Sequence, residues 1–168
     1  DDVCPMLLDS ALTKRLDAPW AVGTNQGGLD TGIIANTTYH VWLIRRSDTG
    51  VVDVLFSTSA SSPTMPTGYD QKRRIGSIIR ASGAIVAFWQ YGDVFRRAPV
   101  IDRNSTSAAA SALLALSVPT GIVVAPIVII SLSSGASVTC NVSLGAALAG
   151  SANVSVAQVL TGAGDALD

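Results

Sequence analysis

Two copies of Asp-Thr-Gly, at 30–32 and 48–50, are the first residues of this 168-residue chain whose order could do chemistry. In aspartic proteases this tripeptide sets a carboxylate against its partner across a two-fold axis, and the pair shares a proton. Two lobes of that kind need far more chain than separates these copies. The second copy falls where a hairpin must turn, and Asp and Gly are what a turn needs. His40 is the only histidine. For Ser-His-Asp catalysis it would have to find Asp53 on a neighbouring strand. No Gly-x-Ser-x-Gly elbow accompanies it, so a packed, hydrogen-bonded histidine is expected. Glycoside hydrolysis needs two carboxylates, one with a raised pKa. Only Asp could supply them, and a chain this short offers little groove. Asp30, Asp48, Asp53 and Asp93 lack the regular spacing of a calcium loop and read as turn formers. Cys4 and Cys140 have no metal-binding spacing; one disulfide and two buried thiols are both open. No catalytic residue, metal ligand or cofactor is expected from these patterns.

Residues suited to contact are easier to find. Sugar-binding surfaces lay aromatic faces against the apolar faces of sugar rings. Most of Trp20, Tyr39, Trp42, Phe88, Trp89 and Tyr91 are expected in the core, as strand aromatics usually are. Tyr69, in a loop over 59–69 that carries Pro63, Pro66 and Gly68, is expected to be the most exposed. Trp89 and Tyr91 share one strand face by alternation. The basic pairs Arg45-Arg46, Arg73-Arg74 and Arg96-Arg97 recur at strand ends, where guanidinium groups solvate the ends or meet acidic sugars and phosphates. The candidate contact residues are therefore Tyr69, Trp89, Tyr91, Arg73 and Arg74. Asn36, Asn104, Asn141 and Asn153 begin Asn-x-Ser/Thr triplets, which chance supplies in so Ser- and Thr-rich a chain.

The elements that would hold these residues are strands. All twelve acidic residues are Asp, and Lys occurs only at positions 14 and 72. Loss of the good helix formers Glu and Lys, beside abundant Val, Ile, Thr and Gly, favours strands and turns. Leu8, Leu12 and Leu16 recur every four residues and predict one short helix within 7–16. The ordered β region is expected to begin at Trp20, followed by a Gly-rich loop over 24–32. Residues 38–45 and 51–58 predict a hairpin turning at 46–50. Its first strand is apolar on both faces and so is expected to be central. A second hairpin is expected from 73–80 and 85–91 across 81–84, continued by 94–97. A Ser/Ala-rich linker spans 98–110. Later strands are expected at 113–118, 122–132, 137–144 and 153–160, the second of them burying Val128 and Ile130.

Composition limits the partners. Hydrophobic residues make up 48 % and charged residues 14 %, the balance of a packed domain. The net charge of −1 gives no electrostatic case for nucleic acid. The apolar stretch from 112 to 132 is interrupted by Pro119, Gly121 and Pro126 and does not read as a membrane-spanning helix, so no membrane insertion is expected. After Arg103 only Asp165 and Asp168 are charged. So uncharged a third calls for cover by another copy, which points to a homo-oligomer, a trimer being the form expected. The expected fold is an all-β, antiparallel, jelly-roll-like sandwich of eight or nine strands over 20–168. A lead-in occupies 1–19, and 98–110 is a possible internal boundary.

The segment from Trp20 to Pro126 also resembles a family of bacteriophage and prophage tail-fibre C-terminal domains. The residues that carry the resemblance are Trp20-Ala-Val-Gly23, Gly27-Gly-Leu-Asp-Thr-Gly32 and Ala35-Asn-Thr-Thr-Tyr-His-Val41. It continues through Asp48-Thr-Gly-Val-Val-Asp-Val-Leu-Phe-Ser57, 63–69, Arg73-Arg-Ile-Gly-Ser77, Gly92-Asp-Val-Phe95 and Ser117-Val-Pro-Thr-Gly-Ile122. Thr38 departs from the pattern, where a second aromatic would precede Tyr39. The resemblance implies a non-enzymatic virion module, assembled in the bacterial cytoplasm. Its expected place is the distal tail fibre or spike, with other tail proteins and a host-surface glycan or protein as partners. A capsid decoration or collar module and a polysaccharide-cleaving spike domain are the alternatives.

Overall fold

A computed structural model describes residues 6–104, 115–129, 138–144 and 154–161. Among them the protein is all-β, without a helix. The strands are β1 (Lys14–Pro19), β2 (Gln26–Leu29), β3 (Thr38–Arg45), β4 (Val52–Ser57), β5 (Gln71–Ala81), β6 (Ala84–Ile85), β7 (Phe88–Tyr91), β8 (Val94–Arg97), β9 (Val138–Leu144) and β10 (Val154–Thr161). The first six form one sheet in the order β1-β2-β4-β3-β5-β6. β7 pairs with β8, and β9 with β10, in two separate antiparallel pairs.

β3 lies between β4 and β5, antiparallel to both. Its aromatic and β-branched sequence suits a strand covered on both sides, and Tyr39, His40, Trp42, Leu43 and Ile44 are all buried. Register sorts the sheet into two faces, because directly paired residues point the same way. One face carries His40, Trp42 and Ile44 with Leu55 and Asp53 of β4 and Ser77 and Arg74 of β5. Trp42, Ile44, Leu55 and Tyr69 form its core, packed by Trp20 and Met65. The other face carries Tyr39 and Val41 with Phe56, Ile78, Gly76 and Arg73. There Leu16, Leu29, Tyr39 and Ile78 form a second core, joined by Ile34, Val41, Phe56 and Phe88. A bulge in β5 between the partners of Val41 and Trp42 leaves Ile75 unpaired.

Several sequence expectations are corrected. The helix expected within 7–16 is absent. Residues 6–13 are irregular, Leu8 is exposed, and Leu16 instead enters a core from β1. Burial along Arg15-Leu16-Asp17-Ala18 alternates as a strand's does. The lead-in therefore contributes a strand, which runs parallel to β2. The loop expected over 24–32 contains β2, whose Gly27 and Gly28 are buried. The hairpin expected from 73–80 and 85–91 turns where foreseen, at Ser82-Gly83. Both turn residues have positive φ, as the twist of a two-residue hairpin favours. Its return strand β6 is only two residues long, however, and 88–91 pairs with 94–97 around Gly92-Asp93 instead. Gly92 alone is left-handed at that turn.

Residues 115–129 contain no strand, against the expectation for 113–118 and 122–132. Val128 is 40 % exposed rather than buried, and Ile130 lies outside the described residues. Pro119 and Pro126 cannot donate to a ladder, which disfavours a central strand here. Strands do occupy 138–144 and 154–161, close to the later pair expected. The chain divides into two compact units. Among the described residues, 6–104 and 116–124 belong to the first. Residues 115 and 125–129, β9 and β10 belong to the second, where Cys140 of β9 stands opposite Val159 of β10. Cys4 lies outside the described residues, as does any pairing of the two cysteines.

Candidate functional site

β7 and β8 make a two-faced ribbon. In register, Phe88 pairs with Arg97 and Gln90 with Phe95 on one face, Trp89 with Arg96 and Tyr91 with Val94 on the other. The first face is its anchor. Phe88 joins the core under β3 and stacks on Phe95 with ring centroids 5.5 Å apart. Gln90 Nε2 donates to the Ile75 carbonyl at 2.7 Å and to the Gly92 carbonyl at 2.9 Å. Gly76 makes room for the ribbon: a Cβ there would meet Gln90 Oε1 at 2.7 Å and the Phe95 ring at 3.1 Å. The second face is bare. Trp89 is 78 % exposed, Tyr91 90 % and Val94 58 %, and Arg96 beside Trp89 is exposed as well.

The five sequence candidates therefore separate. Trp89 and Tyr91 share an open face, as their alternation predicts. Tyr69 does not join them: it is buried, correcting the expectation of an exposed loop aromatic. Its ring meets Trp20 edge-on at 5.1 Å, and its hydroxyl has no hydrogen-bond partner among the described residues. The loop folds back because Tyr69 can fill the Trp42/Ile44/Leu55 core, a larger gain than exposure in a Pro-rich turn. Arg73 and Arg74 are exposed but lie on opposite faces of β5. Arg74 Nη1 donates to the Ala60 carbonyl at 2.7 Å. The sequence singled out Arg96 only as half of a basic pair and did not join it to Trp89, from which it lies directly across. Only the register, invisible until the Gly92-Asp93 turn is placed, brings the two together.

The residues whose types could serve catalysis are engaged structurally. His40 is buried between Ser57 and Ser77 in register, and its Nδ1 lies 2.8 Å from Ser77 Oγ. Burial, with a smaller effect from Arg74, holds its pKa below 6.5 and favours the neutral ring. Asp53 pairs in register with Ile44, four positions along β3 from His40, so the two do not meet as a triad requires. Asp53 instead binds Lys14, with Nζ 2.9 Å from Oδ1, and both side chains are almost fully buried. Its carboxylate also accepts the Gly23 and Val54 N–H groups at 2.8 and 2.6 Å, while Lys14 Nζ donates to the Ala21 carbonyl and sits over Trp20. Of the two Asp-Thr-Gly copies, Asp30 accepts from Thr31 and Thr64 N–H. Asp48 takes a two-pronged contact from Arg46, which lowers its pKa to about 2. Among the described residues no three His, Cys, Asp or Glu side chains gather as a metal site. No helix among them is long and apolar enough to cross a membrane.

No protein-family model, no curated protein and no solved structure matches this chain.

Proposed function

We propose that the chain is a virion structural protein, the distal module of a bacteriophage tail fibre or spike that attaches the particle to a glycan or protein on the host surface. The observation that carries the reading is the open Trp89/Tyr91 face of the β7–β8 ribbon, attached from behind through Phe88, Gln90 and Phe95. Exposed aromatics on a fixed support offer apolar area with little entropy left to lose on contact. In this reading the resemblance to tail-fibre C-terminal domains supplies the biological setting. In this proposal the finer architecture is a jelly-roll-like sandwich, and three copies associate so that weak contacts add to firm attachment. The assembled site is the virion, and other tail proteins are its structural partners.

Binding of the fluorescently labelled chain to a panel of whole bacterial strains tests this. A susceptible strain should bind it, extracted lipopolysaccharide should compete, and Trp89→Ala/Tyr91→Ala should weaken binding at least about tenfold, as loss of an aromatic hot spot does. Unchanged binding by the double variant would remove the ribbon face as the contact site. Labelled chain in electron micrographs on the capsid shell rather than the tail would overturn the fibre assignment.

A further inference from the structure

Beside the opposite face of the β7–β8 ribbon lies a cleft of about 490 Å³, all of it within the first unit. That volume is within the range of small-molecule sites. Its lining includes Asn36, Thr38, Arg80, Arg97, Ser117 and Val100, and no carboxylate. Asn36 and Thr38 share one property: an acceptor is occupied while a donor remains. Asn36 Oδ1 accepts from Arg80 Nη1 at 2.7 Å and from the Gly83 N–H at 3.0 Å, which leaves its amide nitrogen to donate. Thr38 Oγ1 accepts the Thr120 N–H at 3.0 Å and keeps its own proton.

Both guanidinium groups are held by neutral oxygens. Arg80 Nη2 donates to the Gly83 carbonyl at 3.0 Å, and Arg97 Nη2 donates to the Ser117 carbonyl. Neither makes an ion pair among the described residues. Asp102 feels Arg97 only as the weakest cause of its lowered pKa; its main partner is Ser117. Two fixed cations, unpaired donors and an apolar wall suit a compact, hydroxylated anion, because charge-assisted hydrogen bonds to carboxylate or phosphate are the strongest such donors can make.

We infer that this cleft binds the carboxylate or phosphate of an acidic monosaccharide unit. The site is separate from the Trp89/Tyr91 face and stands or falls independently of attachment to cells. Titration of the full chain with glucuronic acid, glucose 6-phosphate, glucose and inorganic phosphate, followed by the arginine side-chain NMR signals, tests it. At least one acidic sugar should bind about tenfold or more tightly than glucose, as a charged hydrogen bond implies. The stronger of the two acids tells carboxylate from phosphate. Arg97→Gln should weaken that binding about tenfold, whereas Arg96→Gln, with the same charge change on the outward face of β8, should leave it unchanged. Thermal unfolding of both variants at the wild-type temperature keeps the comparison sound. If Arg97→Gln unfolds instead, Thr38→Val, which changes no charge and removes both the free hydroxyl proton and the acceptor of the Thr120 N–H, replaces it with the same expected direction, its melting temperature read alongside. Equal loss in Arg96→Gln and Arg97→Gln, glucose binding as well as its acids, or inorganic phosphate binding as well as glucose 6-phosphate would each overturn the assignment.

Discussion

Lys14 carries a positive charge into a site where its side chain is 2 % exposed, and Asp53, at 1 %, meets it there. Moving either ion from water costs several kcal/mol, and the pair is tolerable only because its remaining hydrogen-bond positions are filled. Gly23, Val54 and Ala21 fill them. Replacing one partner leaves the other charged and buried. Lys14→Ala is accordingly expected to lower stability by about 3–5 kcal/mol in urea unfolding. The double variant Lys14→Met/Asp53→Leu should be milder than Lys14→Ala, since it strands no charge. A Lys14→Ala midpoint equal to wild type would mean that Asp53 is hydrated. Neither partner was legible in the sequence as half of an ion pair. Lys14 and Asp53 lie far apart in the chain, and only the seating of β1 beside β2 brings them together.

At the level of elements, what was legible followed local rules. The β3–β4 hairpin, its turn at Asp48-Thr49-Gly50 and the double-sided burial of β3 were readable from alternation and turn residues, because a hairpin's partners are near neighbours. β1 and β2 were not. Their pairing is parallel, and β2 consists of Gln-Gly-Gly-Leu, a composition that local propensity assigns to a loop. The glycines are there for closeness: a Cβ on Gly27 would lie 1.9 Å from the Pro19 carbonyl oxygen, and one on Gly28 2.7 Å from the Phe56 ring. Gly27→Ala must therefore push β1 away, at a cost of about 1–3 kcal/mol or more. Amide hydrogen exchange should show lost protection concentrated in β1 and β2. Wild-type protection in both strands would place β1 elsewhere. The contact site was legible only as an alternation, Trp89 with Tyr91. Exposure of that face depends on which side of the ribbon packs on Gly76, a tertiary choice.

For the molecule as a whole, titration sums these local environments. His40 has a folded pKa below its ordinary 6.5. The unfolded chain therefore takes up the proton first, and stability falls as pH drops through 6.5 until the folded pKa is passed. The carboxylates of Asp48, Asp70 and Asp102 also have folded pKa values below 3.8, Asp48 at about 2. Their contribution is present above 3.8 and is lost as pH falls toward 2. Asp48 and Asp70 are exposed and Asp102 is half-buried, so that second step is small and weakened by salt. Melting temperature should be level from pH 7 to 8, decline below 6.5 and decline again below about 4. In His40→Gln the first decline should vanish. A wild-type profile flat from pH 7 to 5 would show that the His40 ring is open to water.

The parallel seat of β1 also sets an order of events during synthesis. Residues 14–19 leave the ribosome before everything they rest on, since β2 is itself held by Phe56 and the counter-charge for Lys14 is Asp53. β1 must wait, without its final partners, until roughly forty further residues have been added, and it docks onto a hairpin younger than itself.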